Sequence, residues 1–213
     1  MADYRYVHKK EVGMRKQKVI KLIQMLKNEL RGTLKFNFYF VGSASRNMVT
    51  RDYNSNKGYD FDINIEIDET CWDMPPKKVK EIFRRGLDKF VKCFQYDNSE
   101  DSKRVATIKV KDFKHSKILH SVDFCIVRKD IDGYREYIYY DKKNNRYLWE
   151  PQSEEDDLED KAEWLKSSDV NEWQYVRYKY KEYKNKFPND KSRSVYARTI
   201  NDVSNECGYW EEN

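Results

Sequence analysis

The stretch YDFDINIEID, residues 59–68, alternates apolar side chains with carboxylates and one amide. One parity carries Phe61, Ile63, Ile65 and Ile67, and the other carries Asp60, Asp62, Asn64, Glu66 and Asp68. A period of two residues predicts a strand with one buried face. Asp and Asn are poor strand formers, so an ordinary solvent-facing strand would carry Thr, Lys, Ser or Arg instead. The pattern therefore points to Asp60 and Asp62 as candidate functional residues.

A third candidate, Asp123, lies in a later stretch of the same kind, SVDFCIV at residues 121–127. The apolar residues on either side of it would face the core, so Asp123 would point the other way. If the two strands are neighbours, three carboxylates could converge on one small volume, where they repel one another unless a cation neutralises them. Hard oxygen ligands suit Mg²⁺ or Mn²⁺. The sequence therefore predicts a divalent metal site at Asp60, Asp62 and Asp123.

A possible anion-binding turn precedes these strands. The stretch LKFNFYFVG, residues 34–42, predicts a strand that ends in a turn at Gly42 and Ser43. Glycine lets backbone N–H groups approach an anion, and the serine hydroxyl adds a donor. A Gly-Ser pair alone is a weak signal, but here it is followed by a short polar helix, a strand with Asp-x-Asp and a later strand with one Asp.

In this order, the segments FVGSASRNMV, YDFDINIEI and SVDFCIV resemble the three motifs of the nucleotidyltransferases that share the DNA polymerase β fold, hG[GS], [DE]h[DE]h and h[DE]h, where h is apolar. The resemblance covers roughly the first 130 residues. It implies an α+β fold with a mixed sheet flanked by helices, followed by a helical C-terminal segment that helps to hold the substrates.

The resemblance also implies roles for the acidic residues. Asp60 and Asp62 would hold a metal ion bound to the triphosphate of an NTP, and together with Asp123 a second metal ion that lowers the pKa of an acceptor hydroxyl. Asp123 could also act as the base that takes the acceptor proton. Gly42 and Ser43 would bind the terminal phosphates, and pyrophosphate would be the product.

Other positions are weaker candidates for nucleotide binding. In the loop before Asp60, phosphate contacts and solvated surface positions are equally good interpretations of Arg46, Arg51 and Lys57. In the late stretch KSRSVYARTIND, the base or the triphosphate could be contacted by Lys191, Ser194 or Tyr196. The simpler interpretation of that stretch is a helix that packs through its apolar residues.

The periodicity predicts the remaining elements and a division into two domains. The predicted helices cover residues 9–31, 75–94, 153–167, 171–187 and 192–207, and the predicted strands cover 34–42, 59–68, 103–113, 117–128 and 133–142. A short helical turn and a loop are predicted between Ser43 and Asp60. Strands give way to helices near residue 150, so we expect a catalytic core at 1–150 and a helical segment, packed on that core, at 151–213.

Composition narrows the class of protein. The 213 residues are 38% hydrophobic and 15% aromatic, which is typical of a folded chain and not of a disordered one. The four cysteines show no close pairing, and the three histidines complete no zinc pattern, so we expect free thiols in a reducing compartment. No run approaches the roughly 20 apolar residues of a membrane span, and no apolar signal core is visible. We therefore expect a cytoplasmic protein without a membrane partner.

Three hypotheses follow. The first is a nucleotidyltransferase that uses Mg²⁺ or Mn²⁺ to move NMP from an NTP to a hydroxyl of an RNA, a nucleotide, a protein or a small molecule. The net charge of +5 and the basic helices favour a nucleotide or RNA acceptor. The second is a catalytically silent module that binds nucleotide or RNA. The third is a solvated sheet face on which the order of the motifs is a coincidence.

Overall fold

The structure is a computed structural model that describes residues 2–130, 132–152 and 156–209. Its helices are α1 (Lys9–Leu30), α2 (Gly42–Ser45), α3 (Pro76–Asp88), α4 (Asp156–Ser168), α5 (Val170–Lys186) and α6 (Ser192–Glu206). Its strands are β1 (Tyr4–Tyr6), β2 (Phe36–Val41), β3 (Thr50–Asp52), β4 (Tyr59–Ile67), β5 (Glu100–Asp101), β6 (Val105–Asp112), β7 (Lys117–Lys129), β8 (Arg135–Asp141) and β9 (Arg146–Pro151). Short 3₁₀ helices cover Glu69–Cys71 and Val91–Phe94.

The chain divides into two compact units. The sheet unit comprises the described residues of Val7–Val49 and Asn56–Gln152, and the helical unit comprises those of Met1–Tyr6, Thr50–Ser55 and Ser153–Asn213. The helical unit therefore also contains β1 and β3. The division into a core at 1–150 and a packed helical segment at 151–213 stays a prediction.

A mixed sheet forms the centre of the sheet unit. Its strand order is β2-β4-β7-β6-β5, and β8 pairs with β7 and with β9. The two central strands, β4 and β7, are parallel, whereas the other pairs are antiparallel. This confirms the predicted α+β fold with a mixed sheet and flanking helices.

One face of this sheet is buried under α1 and α3. The side chains that face these helices from β4 and β7 are almost fully buried: Phe61, Ile63, Ile65, Val122, Phe124 and Ile126. A Cβ on Gly86 of α3 would lie 2.8 Å from Leu26 Cδ1 of α1, so a glycine is needed where the helices approach. Burying each large apolar side chain contributes about 1.5–3 kcal/mol, so this face stabilises the unit. The opposite face is left for polar side chains.

The helical unit contains α4, α5 and α6 together with a two-stranded antiparallel sheet of β1 and β3. The Asn185 side chain of α5 accepts a hydrogen bond from the Tyr4 backbone N at 2.7 Å and donates one to the Tyr4 carbonyl at 3.1 Å. Tyr6 Oη donates to the Arg177 carbonyl at 2.6 Å. The three predicted C-terminal helices are present over the described residues; residues 153–155 of the first lie outside them.

Several local predictions are wrong. Part of the loop predicted before Asp60 is strand β3, which pairs with β1. Each of these strands has only three residues, which is too short to show an alternation of apolar and polar side chains. The helix predicted over residues 75–94 ends at Asp88, and a 3₁₀ turn follows whose last carbonyls are capped by Gln95 in a left-handed conformation, at φ 68°. Strand β9 was not predicted, because its partner β8 and the turn at Asn145, φ 49°, define it more than its own short sequence does.

No helix within the described ranges is both long enough and apolar enough to cross a membrane.

Candidate active site

The structure brings the three predicted carboxylates together on one face of the sheet. In the parallel pair of β4 and β7, Asp62 lies directly opposite Asp123, and Asp60 lies opposite Ser121. Neighbouring strands are about 4.8 Å apart, and paired residues point to the same face. The carboxylates therefore share the polar face, opposite the buried side chains of Phe61 and Val122.

Their environment concentrates negative charge. Burial raises the pKa of Asp62, and the neighbouring Asp123 and Asp60 raise it further, to about 6, although the charge of Arg46 opposes the rise. Burial also raises the pKa of Asp123, against a hydrogen bond from Thr107 that lowers it. Burial disfavours any charge here, whereas the part of the shift that comes from the neighbouring carboxylates is a repulsion that a bound cation would relieve.

Two hydroxyl groups hold the outer carboxylates. Ser121 Oγ donates to Asp60 Oδ1, and Thr107 Oγ1 donates to Asp123 Oδ1. Thr107 lies opposite Asp123 in the antiparallel pair of β6 and β7. Sequence reasoning missed both residues. The alternation within each strand is consistent with their place on the polar face, but only the register between strands shows that they lie beside Asp60 and Asp123. That register is not visible in the sequence.

The Gly-Ser turn lies directly beside Asp62. In the antiparallel pair of β2 and β4, Val41 is opposite Asp62, so the end of β2 delivers Gly42 to the carboxylate. Gly42 has φ +62°, and a Cβ at this position would lie 2.9 Å from Asp62 Oδ2. Any other residue would be strained there and would press on the carboxylate. The sequence-predicted turn and the aspartate pair thus form one compact arrangement.

A lysine of α1 and a backbone hydrogen bond hold the turn in place. Lys16 Nζ donates to the carbonyl of Ala44 at 2.6 Å, and the Met48 backbone N donates to the Ser43 carbonyl at 2.8 Å. Burial lowers the pKa of Lys16, as expected for an ammonium group placed among protein atoms. Ala44 itself is fully buried. These contacts fix the backbone on which the N–H groups of the turn are presented.

The donor atoms of this face fit a hard divalent cation. Carboxylate oxygens are the ligands that Mg²⁺ and Mn²⁺ prefer, and their mutual repulsion is what a cation would relieve. As the side chains stand, however, no group of three or more His, Cys, Asp or Glu residues within 2–130, 132–152 and 156–209 is gathered closely enough to hold a metal ion. Ser121 and Thr107 bond to Oδ1 of Asp60 and of Asp123, and each carboxylate has a second oxygen that could bind a cation.

The remaining sequence-predicted residues are spread over both units. Arg46 follows α2, and its charge acts on Asp62; Lys57 is exposed in the loop before β4. Three others belong to the helical unit. Ser194 is exposed in the first turn of α6, whereas Tyr196 is 4% exposed and lies against Tyr180, with ring centroids 6.4 Å apart. The third is Arg51, in β3.

Lys191 directly precedes α6, as its N-cap residue, and is exposed. It carries no cap hydrogen bond from its side chain. The nucleotide-binding roles of these residues stay predictions: Arg46, Arg51, Lys57, Lys191, Ser194 and Tyr196.

The fold is similar to that of solved nucleotidyltransferases. The cyclic AMP-GMP synthase DncV of Vibrio cholerae, bound to 3′-deoxy ATP, gives a TM-score of 0.56 at 16% identity, over 93% of this chain and 53% of that chain. Its apo form gives 0.55 at 16% identity over the same shares, and its complex with the linear intermediate pppA(3′,5′)pG gives 0.54 at 14% identity, over 80% and 45%. The chain spans about half the length of these structures.

These neighbours are cyclic dinucleotide synthases of the nucleotidyltransferase fold, and the sheet unit and helices described above belong to that fold class. At 14–16% identity, the similarity establishes the fold alone. No protein-family model matches the sequence, and no curated protein matches it.

Proposed function

We propose that this protein is a metal-dependent nucleotidyltransferase that moves NMP from an NTP to a hydroxyl acceptor and releases pyrophosphate. The observation that carries the proposal is the register that sets Asp62 against Asp123 on one side and against the Gly42 turn on the other. A phosphate-binding turn and paired carboxylates at this spacing are what the reaction requires, and the chain has the fold in which that reaction occurs.

Each residue has a defined task in the proposed reaction. Asp60, Asp62 and Asp123 would hold Mg²⁺ or Mn²⁺, which supplies neutralisation of the phosphate charge and activation of the acceptor hydroxyl. The turn at Gly42 and Ser43 binds the terminal phosphates through its N–H groups and the Ser43 hydroxyl.

In the transfer itself, a bond forms between the acceptor oxygen and the α-phosphorus, and the bond from the α-phosphorus to the bridging oxygen breaks. Asp123 takes the acceptor proton, and pyrophosphate leaves with the bridging oxygen. Thr107 keeps one oxygen of Asp123 in place, so the other oxygen is available for the proton.

A nucleotide is the acceptor that we favour. The structural neighbour DncV has been solved with GTP, with 3′-deoxy ATP and with the linear intermediate pppA(3′,5′)pG, which joins two nucleotides, and this supports a nucleotide as the acceptor here. An RNA end, a protein side chain or a small molecule is the alternative acceptor, and the experiment below includes all three.

The predicted cytoplasmic location is part of the proposal. All four cysteines are free, which suits a reducing compartment. Cys71 is buried and Cys93 is exposed, so oxidation would affect them differently. An accessible thiol such as Cys93 is best tolerated where glutathione keeps it reduced.

A silent nucleotide-binding module is the second candidate. The observation that favours it is that hydroxyl groups already occupy Asp60 and Asp123 and that the described side chains form no ready metal cluster. Such a module would bind an NTP through the Gly42 turn but would not transfer NMP. Replacing Asp123 by Asn would then leave nucleotide binding intact.

To test the proposal, the purified protein is incubated with each NTP labelled at the α-phosphate, together with Mg²⁺ or Mn²⁺. Transfer of label is measured separately for each class of acceptor: nucleotides, RNA, protein and small metabolites. Transfer of label that is lost in Asp62→Asn and kept in the surface control Asp132→Asn establishes the enzyme and names its acceptor. Binding of NTP without any transfer supports the silent module. If the protein neither binds an NTP nor transfers label, both candidates are refuted.

A further inference from the structure

A row of cationic and aromatic side chains continues the polar face of the sheet beyond the carboxylates. We define this cation–aromatic ledge as Tyr39, Asn64, Arg104, Arg135 and Tyr137. Tyr39 is opposite Asn64 in the pair of β2 and β4, and Tyr137 is opposite Val127 in the pair of β7 and β8. Asn64 is two residues from Asp62 along β4, so the ledge begins about 7 Å from the carboxylates.

Each tyrosine ring of the ledge has a guanidinium group beside it. Arg135 Cζ lies 5.7 Å from the centroid of the Tyr39 ring, and Arg104 Cζ lies 4.9 Å from that of Tyr137. Strands β2 and β8 are separated by β4 and β7, a span of about 14 Å. The Arg135 side chain therefore lies across the face of the sheet, and the ledge is as wide as one nucleotide.

Within the part of the chain that the structure describes, neither guanidinium group of the ledge has a protein acceptor. Over residues 2–130, 132–152 and 156–209, the structure gives no ion pair and no side-chain hydrogen bond to Arg104 or Arg135. Arg128 of β7 shows the contrast, because it pairs with Glu136 at 2.8 Å and donates to the Trp72 carbonyl at 2.8 Å. An exposed arginine with its donors unused is suited to a phosphate, which it can bind with two parallel hydrogen bonds.

Two residues connect the ledge with the carboxylates. Asn64 is only 7% exposed, and its Nδ2 lies 3.4 Å from Tyr39 Oη, which fixes the position of that ring. Cys125 is opposite Asn64 in the pair of β4 and β7 and lies two residues from Asp123 along β7. The ledge and the carboxylates are thus parts of one continuous polar surface in the sheet unit.

We propose that the cation–aromatic ledge binds the acceptor, and that this acceptor is a nucleotide with a 5′-phosphate. Arg104 and Arg135 pair with its phosphate oxygens, and the rings of Tyr39 and Tyr137 stack against its base. Its ribose hydroxyl then points along β7 towards Asp123. This inference rests on the proposed function, and it makes the two arginines the residues that select phosphorylated acceptors over nucleosides.

Binding stoichiometry tests the ledge without relying on turnover. Equilibrium dialysis with labelled ATP or GTP and Mg²⁺ should give two nucleotides per wild-type chain, and one per chain of the double variant Arg104→Gln, Arg135→Gln. Arg85→Gln, an exposed arginine of α3, is the matched control and should still bind two. Equal melting temperatures of the three proteins would show that the loss is local.

The transfer assay gives the second readout. We expect the double variant to raise the acceptor KM at least tenfold while the KM for the labelled donor changes less than twofold, and Arg→Lys at both positions should recover part of the loss. Adenosine should be a poor acceptor for the wild type and equal to AMP for the double variant.

The outcomes separate the two proposals. Two nucleotides still bound by the double variant, or a nucleoside accepted as well as a nucleotide by the wild type, would overturn the ledge. Preference for an RNA end over mononucleotides would also overturn it. If no label is ever transferred but the stoichiometry falls from two to one in the double variant, the ledge stands and the proposed catalytic activity fails.

Discussion

The two faces of the central strands differ in what fixes them. On the core face, Phe61 and Phe124 are fully buried against helices, and packing alone determines their position. On the polar face, Asp62 and Asp123 lie opposite each other although burial and mutual charge make this unfavourable, as their raised pKa values show. The same backbone thus carries one face that contributes stability and another that reduces it, which is expected where a site is built for a ligand.

The largest effect should come from the polar face. Asp62→Asn removes one of the proposed metal ligands, and we expect NMP transfer to fall by about 10³-fold or more, as measured with α-labelled NTP. Because the substitution also removes a buried charge, the free energy of unfolding should not fall and should rise by about 1–2 kcal/mol at pH 7.5. A large loss of stability would contradict this view of the polar face.

The core face should respond in the opposite way. Phe61→Ala leaves a cavity beside Phe40 and His120, whose rings lie 5.7 and 5.0 Å from that of Phe61. We expect it to lower the free energy of unfolding by about 3–5 kcal/mol in urea denaturation. Phe61→Leu is the milder control. If Phe61→Ala lowered activity without lowering stability, the assignment of this face to packing would be wrong.

His120 is the polar exception on the core face. It is 1% exposed, stacks on Tyr59 at 5.2 Å and shares a hydrogen bond between its Nε2 and Tyr96 Oη. Burial, together with the positive charge of Arg15, lowers its pKa to about 3. The imidazole is therefore neutral in the folded protein near neutral pH.

The unfolded protein binds a proton at this histidine below about pH 6.5, whereas the folded protein does not until about pH 3. Stability should therefore fall as the pH drops, by about 2–3 kcal/mol between pH 6.5 and 4.5. In His120→Gln, the fall in the free energy of unfolding with decreasing pH should be smaller by this amount, as measured by urea denaturation at pH 7.5, 5.5 and 4.5. Asp62 titrates in the opposite direction in both proteins and cancels in the difference; identical slopes would refute the prediction.

The smallest effect sharpens the comparison on the polar face. Thr107→Val keeps the shape of the side chain but removes the hydroxyl that holds Asp123. We expect kcat to fall about tenfold while the free energy of unfolding changes by no more than about 1 kcal/mol. Thr107→Ser restores the donor and should restore kcat. An equal loss in both variants would mean that Thr107 acts through packing.

The sequence could predict much of the sheet because its strands are long and alternate strictly. Phe61 and Ile63 face inward and Asp60 and Asp62 outward for reasons that are local to β4, so no knowledge of neighbours is needed. The order of the motifs then placed Asp123 with them, and the structure brings the three carboxylates onto one face.

What the sequence could not provide is the pairing between strands. Ser121 and Thr107 hold two of the carboxylates only because of the register of β7 with its neighbours. Strand β1 likewise exists through its pairing with β3, which is far away in the sequence. Arg135 and Tyr39 meet across four strands, so no local pattern marks them as partners. Long-range contacts of this kind have no period for a sequence pattern to reveal.

Gly42 gives the site an unusual evolutionary constraint. Because any side chain at this position would press on Asp62 Oδ2, the proposed phosphate-binding turn and the carboxylate cannot change independently. A descendant that loses catalysis through Asp62 is released from the need for glycine, whereas a descendant that first replaces Gly42 disturbs the carboxylate at once. Among inactive relatives, glycine at this position should therefore be lost after the aspartate and not before it.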